Sequence, residues 1–175
     1  EIPLRLVGSE MCIRDRSAAM EIKGDKPEDE LYKGRISYLL GENKDAISYL
    51  EKAKEHKQML ASYYLGLAYD ANGDSDKAKK CIAEYIKSGV ATSYDLYELG
   101  MQEMQDGNYK NALTYFNSGL ELEKVPNKQN LMKSAIAAYE YSGDFDSAKK
   151  MMKEYLKAYP DDEEAKHENT FLETR

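Results

Sequence analysis

Leu65-Gly66-Leu67-Ala68-Tyr69-Asp70-Ala71-Asn72-Gly73-Asp74-Ser75-Asp76-Lys77-Ala78 is the stretch from which the chain can be read. Ala61, Leu65, Ala68 and Tyr69 fall at helical spacing on its N-terminal side, and Ala78, Ile82, Tyr85 and Ile86 do so on its C-terminal side. Between the two runs lies turn chemistry. Gly73 permits the positive φ that ends one helix, and Asp74 can cap the next. Two amphipathic helices therefore meet here. Gly66 and Ala78 mark a contact too close for larger side chains, and Tyr69 and Ile82 fill the space around it.

The same positions return along the chain. Gly34, Gly41 and Ala46 precede Gly66, Gly73 and Ala78; Gly100, Gly107 and Ala112 follow, then Ile136, Gly143 and Ala148. Successive alanines are 32, 34 and 36 residues apart. A near-fixed period of this size, without a long apolar run, predicts an all-α solenoid of repeated helix-turn-helix units rather than one globular core. Such arrays usually bind and rarely catalyse.

These residues resemble the tetratricopeptide repeat (TPR) family, whose pattern places Leu-Gly before an aromatic, a Gly-Asp turn, an alanine, a large apolar residue and a later proline. Leu65-Gly66, Tyr69, Gly73-Asp74, Ala78 and Ile82 follow it; so do Leu96, Leu99-Gly100, Gly107-Asn108-Tyr109, Ala112, Phe116 and Gly119. Met132, Tyr139, Gly143-Asp144-Phe145, Ala148, Met152 and Pro160 do the same, with Ile136 in place of the small residue. The first block departs most, carrying Glu30, Lys33 and Ser37 where apolar residues are expected, and recovers at Gly41, Ala46, Leu50 and Ala53. The expected organisation is repeats at 27–58, 59–92, 93–128 and 129–162, with 163–175 a capping helix or partial repeat. Asp161 to Glu164 supply acids for the positive end of that last helix.

The N-terminal stretch reads differently. Leu6 to Arg16, LVGSEMCIRDR, resembles a translated transposon-type sequencing-library adapter, and the preceding EIPLR fits an index barcode. Residues 1–16 are therefore expected to be adapter-derived and are set aside. Residues 17–26 fit the tail of a truncated preceding repeat. The natural chain is expected to extend further toward its N-terminus, so localisation is not read from this sequence.

Composition narrows the function classes. The net charge is −7 with or without residues 1–16, and there is no basic stripe, which argues against nucleic acid and anionic lipid. Nothing is apolar over a membrane-spanning length. Fifteen tyrosines and no tryptophan suit inter-helix packing. Cys81 is the one cysteine outside the adapter stretch and reads as packing. His56 and His167 lack partners at ligand spacing, so no metal site, cofactor or catalytic residue is expected. Asp70-x-Asn72-x-Asp74 imitates a calcium loop, but its glycine is fourth instead of sixth and its twelfth position is Cys81 rather than glutamate.

The family resemblance implies a concave face built from the first helix of each repeat. Transferred onto this chain, its larger side chains are Leu31, Arg35, Tyr38 and Leu39, then Leu60, Tyr63, Leu67 and Asp70. Tyr94, Tyr97, Met101 and Met104 continue it, and Lys133, Glu140 and Tyr141 end it. The candidate groove residues are Tyr63, Leu67, Tyr94, Tyr97, Met101, Met104, Lys133 and Tyr141. Large apolar and aromatic side chains on such a face suit adaptable recognition of a peptide or helix. Family members that clamp a terminal carboxylate pair lysine with asparagine; here those pairs are Leu31/Arg35, Tyr63/Leu67, Tyr97/Met101 and Lys133/Ala137. The reading is a non-catalytic scaffold with a protein or peptide partner. Its rivals are the interaction part of a larger enzyme, regulator or envelope lipoprotein, and a self-associating structural array.

Overall fold

The computed structural model describes residues 26–175, and the expectations for residues 1–25 lie outside them. The fold is all-α, a solenoid-type succession of short helices, each packed on the next within its unit. The chain divides into two compact units, one ending at Val90 and the other spanning Ala91–Arg175.

The first unit holds α1 (Pro27–Leu39), α2 (Asn43–Glu55), α3 (Met59–Ala71) and α4 (Ser75–Lys87). Each helix packs on its successor, and α1 also packs on α3. Ala46, Ala53, Ala61 and Ala68 are completely buried. Their small side chains let the helices close around Leu50, Leu65 and Tyr69, each large apolar side chain gaining about 1.5–3 kcal/mol from burial. Cys81 joins the same cluster as a free thiol, which burial pushes up from its ordinary pKa.

The turn read at Gly73 has the expected geometry. Gly73 has φ +86°; its N–H donates to Asp70 O at 2.9 Å, and Asp74 N–H donates to Tyr69 O at 2.8 Å. These two bonds satisfy carbonyls that the end of α3 would otherwise leave open, the Schellman arrangement. Gly41, Gly107 and Gly143 repeat the positive φ at the other intra-repeat turns. The expected aspartate cap forms at Asp144, which accepts from Ser147 N–H at 3.1 Å. At Asp74 it does not, because the carboxylate accepts from the Asn72 side-chain amide at 2.9 Å. The link from α2 to α3 uses the same turn without glycine: Lys57 has φ 61°, and Gln58 N–H donates to Ala53 O at 3.1 Å.

Ser37, which departs from the apolar pattern of the first block, is nonetheless fully buried, and its hydroxyl has no hydrogen-bond partner. The position is thus buried as the repeat pattern requires, with a hydroxyl where that pattern has an apolar side chain.

The second unit holds α5 (Ser93–Gln105), α6 (Tyr109–Leu120), α7 (Lys128–Tyr141), α8 (Phe145–Ala158) and α9 (Glu163–Leu172). Again each packs on the next, and α5 packs on α7. Thr92 and Asp95 cap α5 reciprocally, Asp95 N–H donating to Thr92 Oγ1 at 3.2 Å and Thr92 N–H to Asp95 Oδ2 at 2.8 Å. Buried Asn127 donates to Ser93 O at 3.1 Å and ties the start of α5 to the segment before α7. Ala112, Phe116, Leu131 and Ala135 form one buried cluster, and Ile136, Ala148, Met152 and Tyr155 form part of another. Ile136, which replaces the expected small residue, shares its buried cluster with the unbranched side chain of Met152, which adapts readily to an irregular space.

Candidate interaction face

In the first unit the proposed face belongs to α1 and α3. Tyr63 is buried, its ring 5.1 Å from Tyr64 and 5.3 Å from Tyr85, while Leu67 is half-buried. Tyr38 meets Tyr64 edge-on at 6.4 Å, and the Arg35 guanidinium lies 4.7 Å from the Tyr64 ring centre. Burial first, and then Asp70, raise the Tyr38 phenol above its ordinary pKa. Tyr64 is thus the ring on which the cluster turns. The repeat pattern does not single it out, because it stands beside rather than at the concave positions.

In the second unit, Tyr94, Tyr97, Met101 and Met104 recur every three or four residues and so share one side of α5. Tyr94 is 49% exposed. Tyr97, Met101 and Met104 are half-buried and pack on the Phe116 cluster, with the Tyr97 ring 6.2 Å from Phe116. Ser134 of α7 donates to Met101 Sδ at 3.6 Å, joining this stripe to α7. Tyr141 is 67% exposed and stacks on Tyr109 at 5.3 Å, near the turn at Gly107.

Lys133 is placed otherwise. Its ammonium lies 2.8 Å from Asp162 and 3.5 Å from Glu164, so its charge is used inside the unit. Asp162 also caps α9 through Ala165 N–H at 3.1 Å and accepts from the Tyr155 hydroxyl at 2.5 Å; that hydroxyl accepts from Gln129 at 2.8 Å. Lys133, together with those hydroxyl and backbone bonds, holds the Asp162 carboxyl well below the usual carboxylate range. Beside this network, α7, α8 and α9 enclose an open cavity of about 260 Å³, lined by Lys133, Ile136, Ala137, Glu140, Met152, Tyr155, Glu164, Ala165 and Glu168. Burial, and the Glu168 carboxyl facing it, push Glu140 up to about 7. The family positions 133, 137 and 140 therefore line one cavity, against a wall from α9, the segment expected as a capping helix or partial repeat.

The family model for the tetratricopeptide repeat matches residues 60–88 and 129–162, one match in each unit. The chain carries tetratricopeptide repeats. The first match covers most of α3 and α4 and the second covers α7 and α8, the helix pairs around Gly73 and Gly143. A comparison with curated proteins gives no match. Tetratricopeptide repeats generally mediate protein–protein interaction, and theirs is typically a non-catalytic fold. Among the described residues, no helix is long and apolar enough to cross a membrane.

Proposed function

We propose that this chain is a non-catalytic interaction scaffold whose α5 stripe, Tyr94, Tyr97, Met101 and Met104, receives a peptide or helix of a partner protein. The observation that carries the reading is that stripe: four large apolar side chains on one side of a first helix, each retaining exposure. Tyrosine supplies contact area at low entropic cost, and methionine adapts to varied partners. The −7 net charge favours a partner that is not a polyanion.

Peptides selected on the full chain from a random display library test the reading. Tyr97→Ala with Met101→Ala should weaken the selected peptides at least about tenfold while helicity is retained. Equal affinity for the variant, or a protein that dimerises through this stripe and selects nothing, would remove the peptide-binding assignment.

A further inference from the structure

The third helix of the second unit, α7, packs on α5, and α3 packs on α1 in the first, but α9 takes α8 as its packing partner. The space between α7 and α9 is the cavity described above. At about 260 Å³ it is smaller than the roughly 300–1,000 Å³ of drug-sized ligand sites, which suits one long side chain rather than a helix.

Ile136, Ala137, Met152 and Ala165 give it apolar walls. Glu140 from α7 and Glu168 from α9 meet in its lining, their carboxyls within hydrogen-bonding reach of each other. Glu140 Oε1 is shielded from solvent, and no N–H or hydroxyl donor reaches it. Two neighbouring carboxyls in a half-dry site resist double ionisation, so Glu140 keeps its proton well above the usual carboxylate range. The cation in the wall does not supply a counter-ion, because Lys133 is engaged with Asp162 and Glu164. Among the described residues no group of three potential ligands is placed to hold a metal ion. An anion would meet Glu140, Glu164 and Glu168.

We propose that this cavity receives a lysine or arginine side chain of a partner protein, its aliphatic stem against Ile136, Ala137 and Met152 and its cation on the paired carboxyls of Glu140 and Glu168, in place of the proton they share. The site inverts the sign of the family's carboxylate clamp. It rests on the interaction reading only in taking its ligand from a protein, and it uses different residues from the α5 stripe. In the empty site one proton stands in for the guest cation. The groups facing that proton are Lys133 from α7, Tyr155 from α8, Glu164 and Glu168 from α9, with Asp162 at the cap of α9. Guest and proton compete, so affinity should weaken as pH falls below about 7.

The test is a titration of the full chain, carrying labelled methionine methyls and backbone amides, with the peptide acetyl-Gly-Gly-Arg-Gly-Gly-amide, followed by magnetic resonance. A second peptide replaces arginine by citrulline, of the same shape but uncharged. The arginine peptide should shift the Met152 methyl and the Ala137 and Ala165 amides saturably, with Kd on the order of 1 mM, and citrulline should bind at least about tenfold more weakly. Glu140→Gln with Glu168→Gln should abolish the preference, and lowering the pH from 8 to 6 should weaken arginine binding to the unaltered chain. Coincident arginine and citrulline isotherms on the unaltered chain overturn the proposal without depending on any variant. So does the absence of shifts at roughly 20 mM peptide. Shifts confined to Met101 and Met104 also overturn it while supporting the α5 stripe; loss of stripe binding alone leaves it standing.

Discussion

Gly100 on α5 lies directly against the ring of Phe116 on α6: a Cβ built on Gly100 would stand 2.6 Å from the Phe116 Cδ1 atom. The same relation joins Gly66 to Ile82, whose Cγ1 would be 2.5 Å away, and Gly34 to Leu50, whose Cγ would be 2.5 Å away. Each pair is separated by sixteen residues, and each brings the backbone of a first helix onto a large side chain of the second.

Gly100→Ala should therefore destabilise the chain. Overpacking costs about 1–3 kcal/mol, of which alanine's better helix propensity returns at most about 1. Phe116 is fully buried and its ring is rigid, so it cannot yield as a flexible side chain would. A denaturant midpoint equal to or above that of the parent would contradict the close helix approach.

Lys57→Gly should act in the opposite direction. Lys57 holds φ 61° at the α2–α3 turn, where an L side chain costs about 1–2 kcal/mol. Glycine relieves that strain and loses part of the gain to unfolded-state entropy, leaving a stabilisation of about 0.5–1 kcal/mol. Thermal unfolding checks it, and a lowered midpoint would show that the lysine side chain contributes more than its backbone strain costs.

Ser37→Ala should stabilise by about 1 kcal/mol, because it removes a buried hydroxyl that has no partner. Ser37→Val at the same site would test whether the space admits more than a methyl group. An unchanged or reduced stability for the alanine variant would mean that the hydroxyl is satisfied in solution.

Two carboxyls should give stability opposite dependences on pH. Glu140 titrates at about 7 in the folded chain and near 4.3 when unfolded, so the fold holds the proton more tightly. Its contribution is fully present below about pH 4.3 and is lost as pH rises to 7, on the order of 1–2 kcal/mol after solvent screening. Glu140→Gln should flatten that decline between pH 5 and 8 in urea unfolding. Asp162 is depressed, so its contribution is present above about pH 4 and is lost as pH falls further. Parallel pH profiles for the parent and Glu140→Gln would show that burial and Glu168 do not raise Glu140 in the folded chain.

The helix pairs were legible because glycine, alanine and the large residue opposite them are spaced by the geometry of the contact itself. The turn at Gly73 was legible for the same local reason. The αL turn at Lys57 was not, because no glycine marks it and its hydrogen bonds repay the strain. Nor was the burial of Ser37, since a polar side chain breaks the periodic signal while the surrounding packing persists. Around the candidate sites, Tyr97 and Met101 could be placed from the repeat. Glu168 could not, because its role depends on where α9 lies rather than on spacing within one repeat, and Lys133 carries no sign of its engagement with Asp162.

The pairing of Ile136 with Met152 in one buried cluster, where the other repeats pair a glycine with a larger residue, carries a consequence for how such a chain can be rebuilt by recombination. Whole-repeat duplication passes on both halves of a fitted pair. A crossover inside a repeat separates them, and an Ile136-type first helix joined to a Phe116-type second helix would overfill the seam that Gly100 leaves open. Heritable variation at this seam should consequently travel as two-site haplotypes sixteen residues apart, with the turn between them free to drift.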